Sequence, residues 1–104
     1  MKLITKEIEK ALPALYTHDG KDPAQVPVIA KFFNPMGAGT WYITEGDLQD
    51  GTLFGLCSIH EPELGYVSLH ELETLRLPAG LTIERDLYLP DGFTLADAMK
   101  RENY

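Results

Sequence analysis

The sequence predicts an α+β domain: an antiparallel sheet of three to four strands, with helices mainly on one face. Three observations carry that expectation. Three short apolar segments rich in β-branched and aromatic residues sit between glycine-containing turns in the middle of the chain. Segments with helical spacing flank them, and the resulting order is α-β-β-β-α-β-α. A chain of 104 residues with 44% hydrophobic and 24% charged residues is one ordinary globular domain, residues 1–104, able to fold on its own core.

The first element is an amphipathic helix. Ile4, Ile8, Ala11, Leu12 and Leu15 recur at three- and four-residue spacing with Lys6, Glu9 and Lys10 opposite. Thr5 is its N-cap, and Pro13, which lacks an N–H and crowds the preceding turn, stops or kinks it near Leu12. Thr17 to Pro27, with Gly20 and Pro23, reads as a surface loop. The strands are Val28–Phe33, Thr40–Glu45 and Leu53–Ile59, joined by turns short enough for a meander. Alternation puts Trp41 and Ile43 on one face of the middle strand, with Tyr42 and Thr44 on the other, partly wet face.

Glu61–Gly65 reads as a loop leading to Ser68-Leu-His-Glu71, a capping box that opens a second helix. Its Leu69, Leu72 and Leu75 face inward, and Pro78 with Gly80 ends it. Thr82–Leu89 alternates as a half-exposed or edge strand. Thr94, with Asp97 three residues on, caps a short last helix through Met99.

Charge and cysteine usage narrow the function. Sixteen acids against nine Lys and Arg give a net charge of −7, against direct binding of nucleic acid and open to a basic partner. The single cysteine, Cys57, cannot make an internal disulfide, which favours a reducing compartment. Charges at Lys6, Glu7, Glu9 and Lys10 replace the apolar centre of a signal peptide, and no segment reads as a membrane span, so the expected location is the cytoplasm.

Candidate chemistry is sparse. Cys57 with His60 resembles a thiolate–imidazole pair, yet a thiol in an apolar strand is ordinarily a packed hydrophobe, and strand residues three apart point to opposite faces. His60, Glu61, Glu63, His70 and Glu71 concentrate metal-type donors without a ligand spacing, and Pro62 opposes a helix there, so no metal is expected. Asp47 and Asp50 lack the twelve-residue calcium pattern and suit a turn. Gly37 and Gly39 precede a strand, not the helix a phosphate loop requires. Ser58 and Ser68 have no triad partner at a recognisable spacing. Glu84 and Asp86 share one strand face with Arg85 on the other, a pattern that suits a solvated face better than an acid/base pair.

MKLITKEI, the pairing of AKFFNP with TWYITEGD, the run LFGLCSIHEPELGYVSLHELETL, and GLTIERDLYL together resemble the domain-of-unknown-function family 2958. The resemblance runs from Lys2 to about Leu89 and is most specific over the F-G…H-E-P-E-L-G-Y-V-S-L-H-E-L block. Such short bacterial proteins are carried on plasmids and conjugative elements, so the resemblance implies an accessory role on a mobile element and assigns no catalytic residue. The leading expectation is a non-enzymatic, cofactor-free interaction protein. Its partner surface would join Glu61, Glu63, Tyr66 and Glu73 into one acidic region, with the sheet face around Tyr42 as the next candidate. Two alternatives come from other classes: a counter-defence inhibitor that imitates nucleic-acid charge, and a small enzyme using Cys57/His60 or Glu84/Asp86.

Overall fold

The computed structural model describes residues 2–104. Five antiparallel strands form one sheet in the order β4-β3-β2-β1-β5: β1 Ala30–Phe33, β2 Thr40–Asp47, β3 Thr52–Ser58, β4 Pro62–Ser68 and β5 Glu84–Arg85. The α+β class and the meander are as expected, with five strands where three to four were predicted.

The added strand is β4. The segment expected to be a loop, Glu61–Gly65, pairs with β3 through Ser58↔Pro62, Cys57↔Glu63 and Gly55↔Gly65, so only the tip of a tight hairpin is irregular. Pro62 is tolerated because it begins an outer strand, where a missing N–H interrupts little of the ladder. The predicted Thr82–Leu89 strand shrinks to two residues, paired with Phe32 and Phe33 of β1. The alternation is not kept beyond that pairing: Ile83 is buried, but Leu87, in the same phase four residues on, is exposed along with Tyr88.

Both faces of the sheet are covered. On one, α1 (Lys6–Ala11) and α2 (Leu69–Thr74) pack over Phe32, Trp41, Ile43 and Leu53, with Leu3, Ile4 and Leu72 buried between the layers. On the other, α3 (Leu95–Arg101) lays Leu95 and Ala98 on Tyr42 and Leu56, with Val26, Val28 and Phe93 completing that core. Thr5 caps α1 by accepting the Ile8 N–H at 3.1 Å, and the helix stops before Pro13. Ser68 accepts the Glu71 N–H at 3.2 Å to start α2, which ends sooner than predicted, so Leu75 lies outside it and is exposed. A two-way capping box forms at Thr94 and Asp97, and α3 runs past Met99 to Arg101.

Two glycines permit close approaches, Gly55 between neighbouring strands within the sheet and Gly46 between the sheet and the end of α1. A Cβ on Gly55 would lie 1.8 Å from the Tyr42 carbonyl oxygen, a backbone overlap with no side chain to yield. At Gly46 a Cβ would meet Leu12 and Leu53 at 2.8 Å, so Leu12, the residue that ends α1, sits over this glycine. Among the described residues, no helix is long and apolar enough to cross a membrane.

Candidate functional site

The structure redistributes the predicted partner residues. Alternation along β4 turns Glu63 toward the Cys57 face and Tyr66 toward the opposite face, where its ring packs on Phe54 at 5.0 Å between centroids. Glu61 and Glu63 are exposed, but Glu73 is only partly so. One continuous acidic region joining Tyr66 to Glu63 is therefore not formed. Glu63 and Tyr66 instead project from opposite faces of the outer strand β4, with Glu61 in the hairpin tip before it.

Tyr42 requires a plain correction. It was expected on a wet sheet face and is fully buried beneath α3, stacked near Phe93, with its hydroxyl donating to Glu102 at 2.7 Å. Burial, followed by the Glu102 carboxylate, pushes its phenol well above the ordinary tyrosine range. The wet reading failed because α3 covers that face.

Cys57 behaves as a packed thiol. It is half-buried, with Sγ 3.9 Å from the carbonyl oxygens of Gly55 and Gly65, and burial, then the Glu63 charge, pushes it up to about 11. It lines a shallow cleft of about 450 Å³ with Ile59, His60, Glu61 and Glu63. Among the described residues, no group of three His, Cys, Asp or Glu is placed to hold a metal ion. At the other end of the sheet, Asp86 accepts the Tyr88 N–H at 2.8 Å and pairs with Lys31 at 3.2 Å. Those contacts, the Tyr88 N–H first, hold its carboxyl below its usual value. Arg85 donates to the Lys2 carbonyl at 2.7 Å. Arg85 thus ties the N-terminal segment to β5, and Asp86 ties the chain after β5 to β1.

The most organised polar constellation lies where the sequence reads as no more than the end of a strand and the start of a loop. β2 carries a bulge between Ile43 and Glu45: Ile43 pairs with Gly55, yet Glu45 pairs with Phe54. Strict alternation would have put Glu45 on the Trp41 and Ile43 face, in the apolar core. The extra residue, Thr44, moves it to the Phe54 and Tyr66 face. There the loop after α1 meets it. Pro13 accepts the Gly46 N–H at 3.0 Å, which carries the chain past β2, and Glu45 then takes the Tyr16 N–H at 2.8 Å and the His18 N–H at 2.7 Å. His18 Nδ1 lies 2.9 Å from the same carboxylate.

Glu45 is 4% exposed, so its burial is compensated by three donors rather than by water. Tyr16 is held at φ +73°, the left-handed region that a bulky residue enters only at a cost. The strained backbone delivers an exposed phenol: Tyr16 is 62% and Tyr66 55% exposed. The Tyr16 phenol, as a hydrogen-bond partner, raises the Tyr66 phenol above its ordinary value, with burial and then the charges of Asp19 and Glu45 adding to the shift. A buried carboxylate thus fixes a surface of paired phenols beside β4. The signal available for it was the acid following an apolar strand, Thr44-Glu45-Gly46, together with Tyr16-Thr17-His18 in the loop.

No curated protein and no solved structure matches the chain. A family model described as "Protein of unknown function (DUF2958)" matches residues 3–102, nearly the whole chain and further than the resemblance read from its motifs. That match, covering sheet, helices and the Glu45 constellation alike, shows that the chain belongs to the DUF2958 family.

Proposed function

We propose that this protein is a non-enzymatic interaction module that docks a protein partner on its β4 side, as an accessory factor of a bacterial mobile element. The observation that carries the reading is β4 itself. It is a seven-residue outer strand with exposed Leu64 and Tyr66, whereas the opposite edge of the sheet is only two residues long. Outer strands present unpaired backbone groups and are ordinarily protected by lysine, proline or a bulge, and β4 has only Pro62 at its start. Glu63 on the strand and Glu61 just before it, on a chain of net charge −7, favour a basic partner and speed its association at low salt.

Affinity capture from the natural host, run in parallel with three variants, tests this. Wild type and the distant Asp91→Asn control should capture the same protein, Leu64→Lys should lose it, and Glu61→Gln with Glu63→Gln should weaken it most at low salt. Identical capture by all four proteins would place the interface elsewhere.

A further inference from the structure

The same sheet face carries two aromatic groups, and the chain treats them differently. Over the buried pair Tyr42 and Phe93 it places its own cations, Lys31 at 5.6 Å from the Tyr42 centroid and Arg101 at 4.8 Å from that of Phe93. Among the described residues these are the cation–ring contacts. The second group lies toward β4: the exposed Tyr66 packs on the half-buried Phe54, and the exposed Tyr16 is held beside them through its N–H bond to Glu45, the register partner of Phe54.

Three features suit this group to a cation from outside. Ring faces attract a cation electrostatically, and two exposed phenols beside a third ring offer more than one face. Asp19, exposed and in the same turn as Tyr16, whose carbonyl accepts its N–H at 3.3 Å, supplies negative charge that need not be desolvated before binding. Finally, Tyr16 is fixed in advance: its left-handed backbone is held by Glu45, so little ordering is left to be done on binding. A guanidinium fits better than an ammonium, because its plane stacks on a ring while its edge donors reach a carboxylate.

We infer that the Tyr16–Phe54–Tyr66 surface is the anchor point for an arginine side chain of a basic partner segment. This rests on the docking reading above and names the chemistry that the β4 side recognises. Arginine stacked on these phenols would leave the partner chain running beside β4, with Glu61 and Glu63 available to further basic residues.

The test uses a blocked pentapeptide with one central arginine and a twin carrying neutral citrulline in its place, each titrated into the full-length protein and followed by aromatic NMR signals. The Tyr16 and Tyr66 rings should shift with the arginine peptide, and the citrulline twin should bind at least fivefold more weakly. Tyr66→Ala should lower the affinity about two- to fivefold, the share of one exposed ring, while Tyr66→Phe should keep most of it and Leu87→Ala all of it. Equal shifts with both peptides, shifts centred on other residues, or an unchanged affinity in Tyr66→Ala would overturn the assignment. Movement of the same rings with protein concentration alone would give the surface to a second copy of this chain and would also overturn it. If the peptide misses these rings while Leu64→Lys still loses the captured partner, docking on β4 stands and the arginine anchor falls.

Discussion

Replacing Glu45 by alanine tests the central claim about the site, that one buried carboxylate holds the Tyr16–His18 loop against the sheet. The carboxylate receives the Tyr16 N–H at 2.8 Å, the His18 N–H at 2.7 Å and a contact from His18 Nδ1 at 2.9 Å. Hydrogen bonds to a charged acceptor contribute about 1.5–3 kcal/mol each, but the loop is at the surface and water can replace part of what is lost. A net cost of about 2–4 kcal/mol follows, and at this chain length it corresponds to a fall in melting temperature of roughly 10–20 °C. Glu45→Gln should lie between wild type and alanine: the amide keeps one acceptor oxygen but turns an NH2 toward a donor. His18→Ala removes only the ring contact and should cost less than either. Thermal unfolding followed by circular dichroism gives all three values. A melting temperature for Glu45→Ala within about 2 °C of wild type would refute the reasoning, because it would mean that the loop is held by something other than these bonds. Exchange of the Tyr16 and His18 amides supplies the local readout and should speed up in Glu45→Ala even where the global change is small.

The remaining expectations can each be checked on the isolated protein. Gly55→Ala should prevent folding, since its Cβ would overlap the Tyr42 backbone, whereas Gly65→Ala, with nothing within 4 Å, should leave the melting temperature near that of wild type or slightly higher. Equal behaviour of the two variants would contradict the stated sheet packing. Cys57 in folded protein at pH 8 should react with a thiol reagent at least tenfold more slowly than free cysteine, because a thiol pushed up to about 11 is almost wholly protonated there. Thr94→Ala should cost about 1 kcal/mol through loss of the α3 cap, read from a urea midpoint. Asp86 and Asp97 both titrate below their ordinary value in the folded state, Asp86 chiefly through the Tyr88 N–H and Asp97 chiefly through the Thr94 N–H. Their stabilisation is thus complete above pH about 4 and is lost as pH falls through the lowered values, and Asp97→Asn should flatten that acid limb.

What could be read in the sequence divides along physical lines. Helix starts were legible because a cap is a local device: Thr5, Ser68 and Thr94 each act within three residues of themselves. Strands β1 to β3 were legible because β-branched and aromatic residues crowd between turns. β4 was not, since Pro62 and Gly65 carry a loop signature and only pairing with β3 makes that segment extended. Tyr42 was misplaced for a related reason. Alternation shows that two faces exist, but whether the second is wet depends on where α3 returns, and that is a tertiary fact.

Glu45 shows the limit most sharply. In Trp41-Tyr42-Ile43-Thr44-Glu45 a period of two assigns the acid to the core face, where it would be an unpaired buried charge, so the natural reading makes it the exposed end of a strand. Both inferences fail on one inserted residue. The bulge at Thr44 flips Glu45 to the other face, and the Pro13–Gly46 bond directs the loop there to meet it, so the acid is both buried and satisfied. A bulge has no required composition here, because Thr44 is neither glycine nor unusual in a strand. What marks the place is the combination of a carboxylate only 4% exposed, a bulky residue at positive φ and two exposed phenols, one of them that same residue. Each has an ordinary structural explanation singly, but together they spend strain and desolvation on fixing an exposed ring. That expenditure is why the arginine anchor is sought at Tyr16 and Tyr66 rather than at the more conspicuous acids of the hairpin tip.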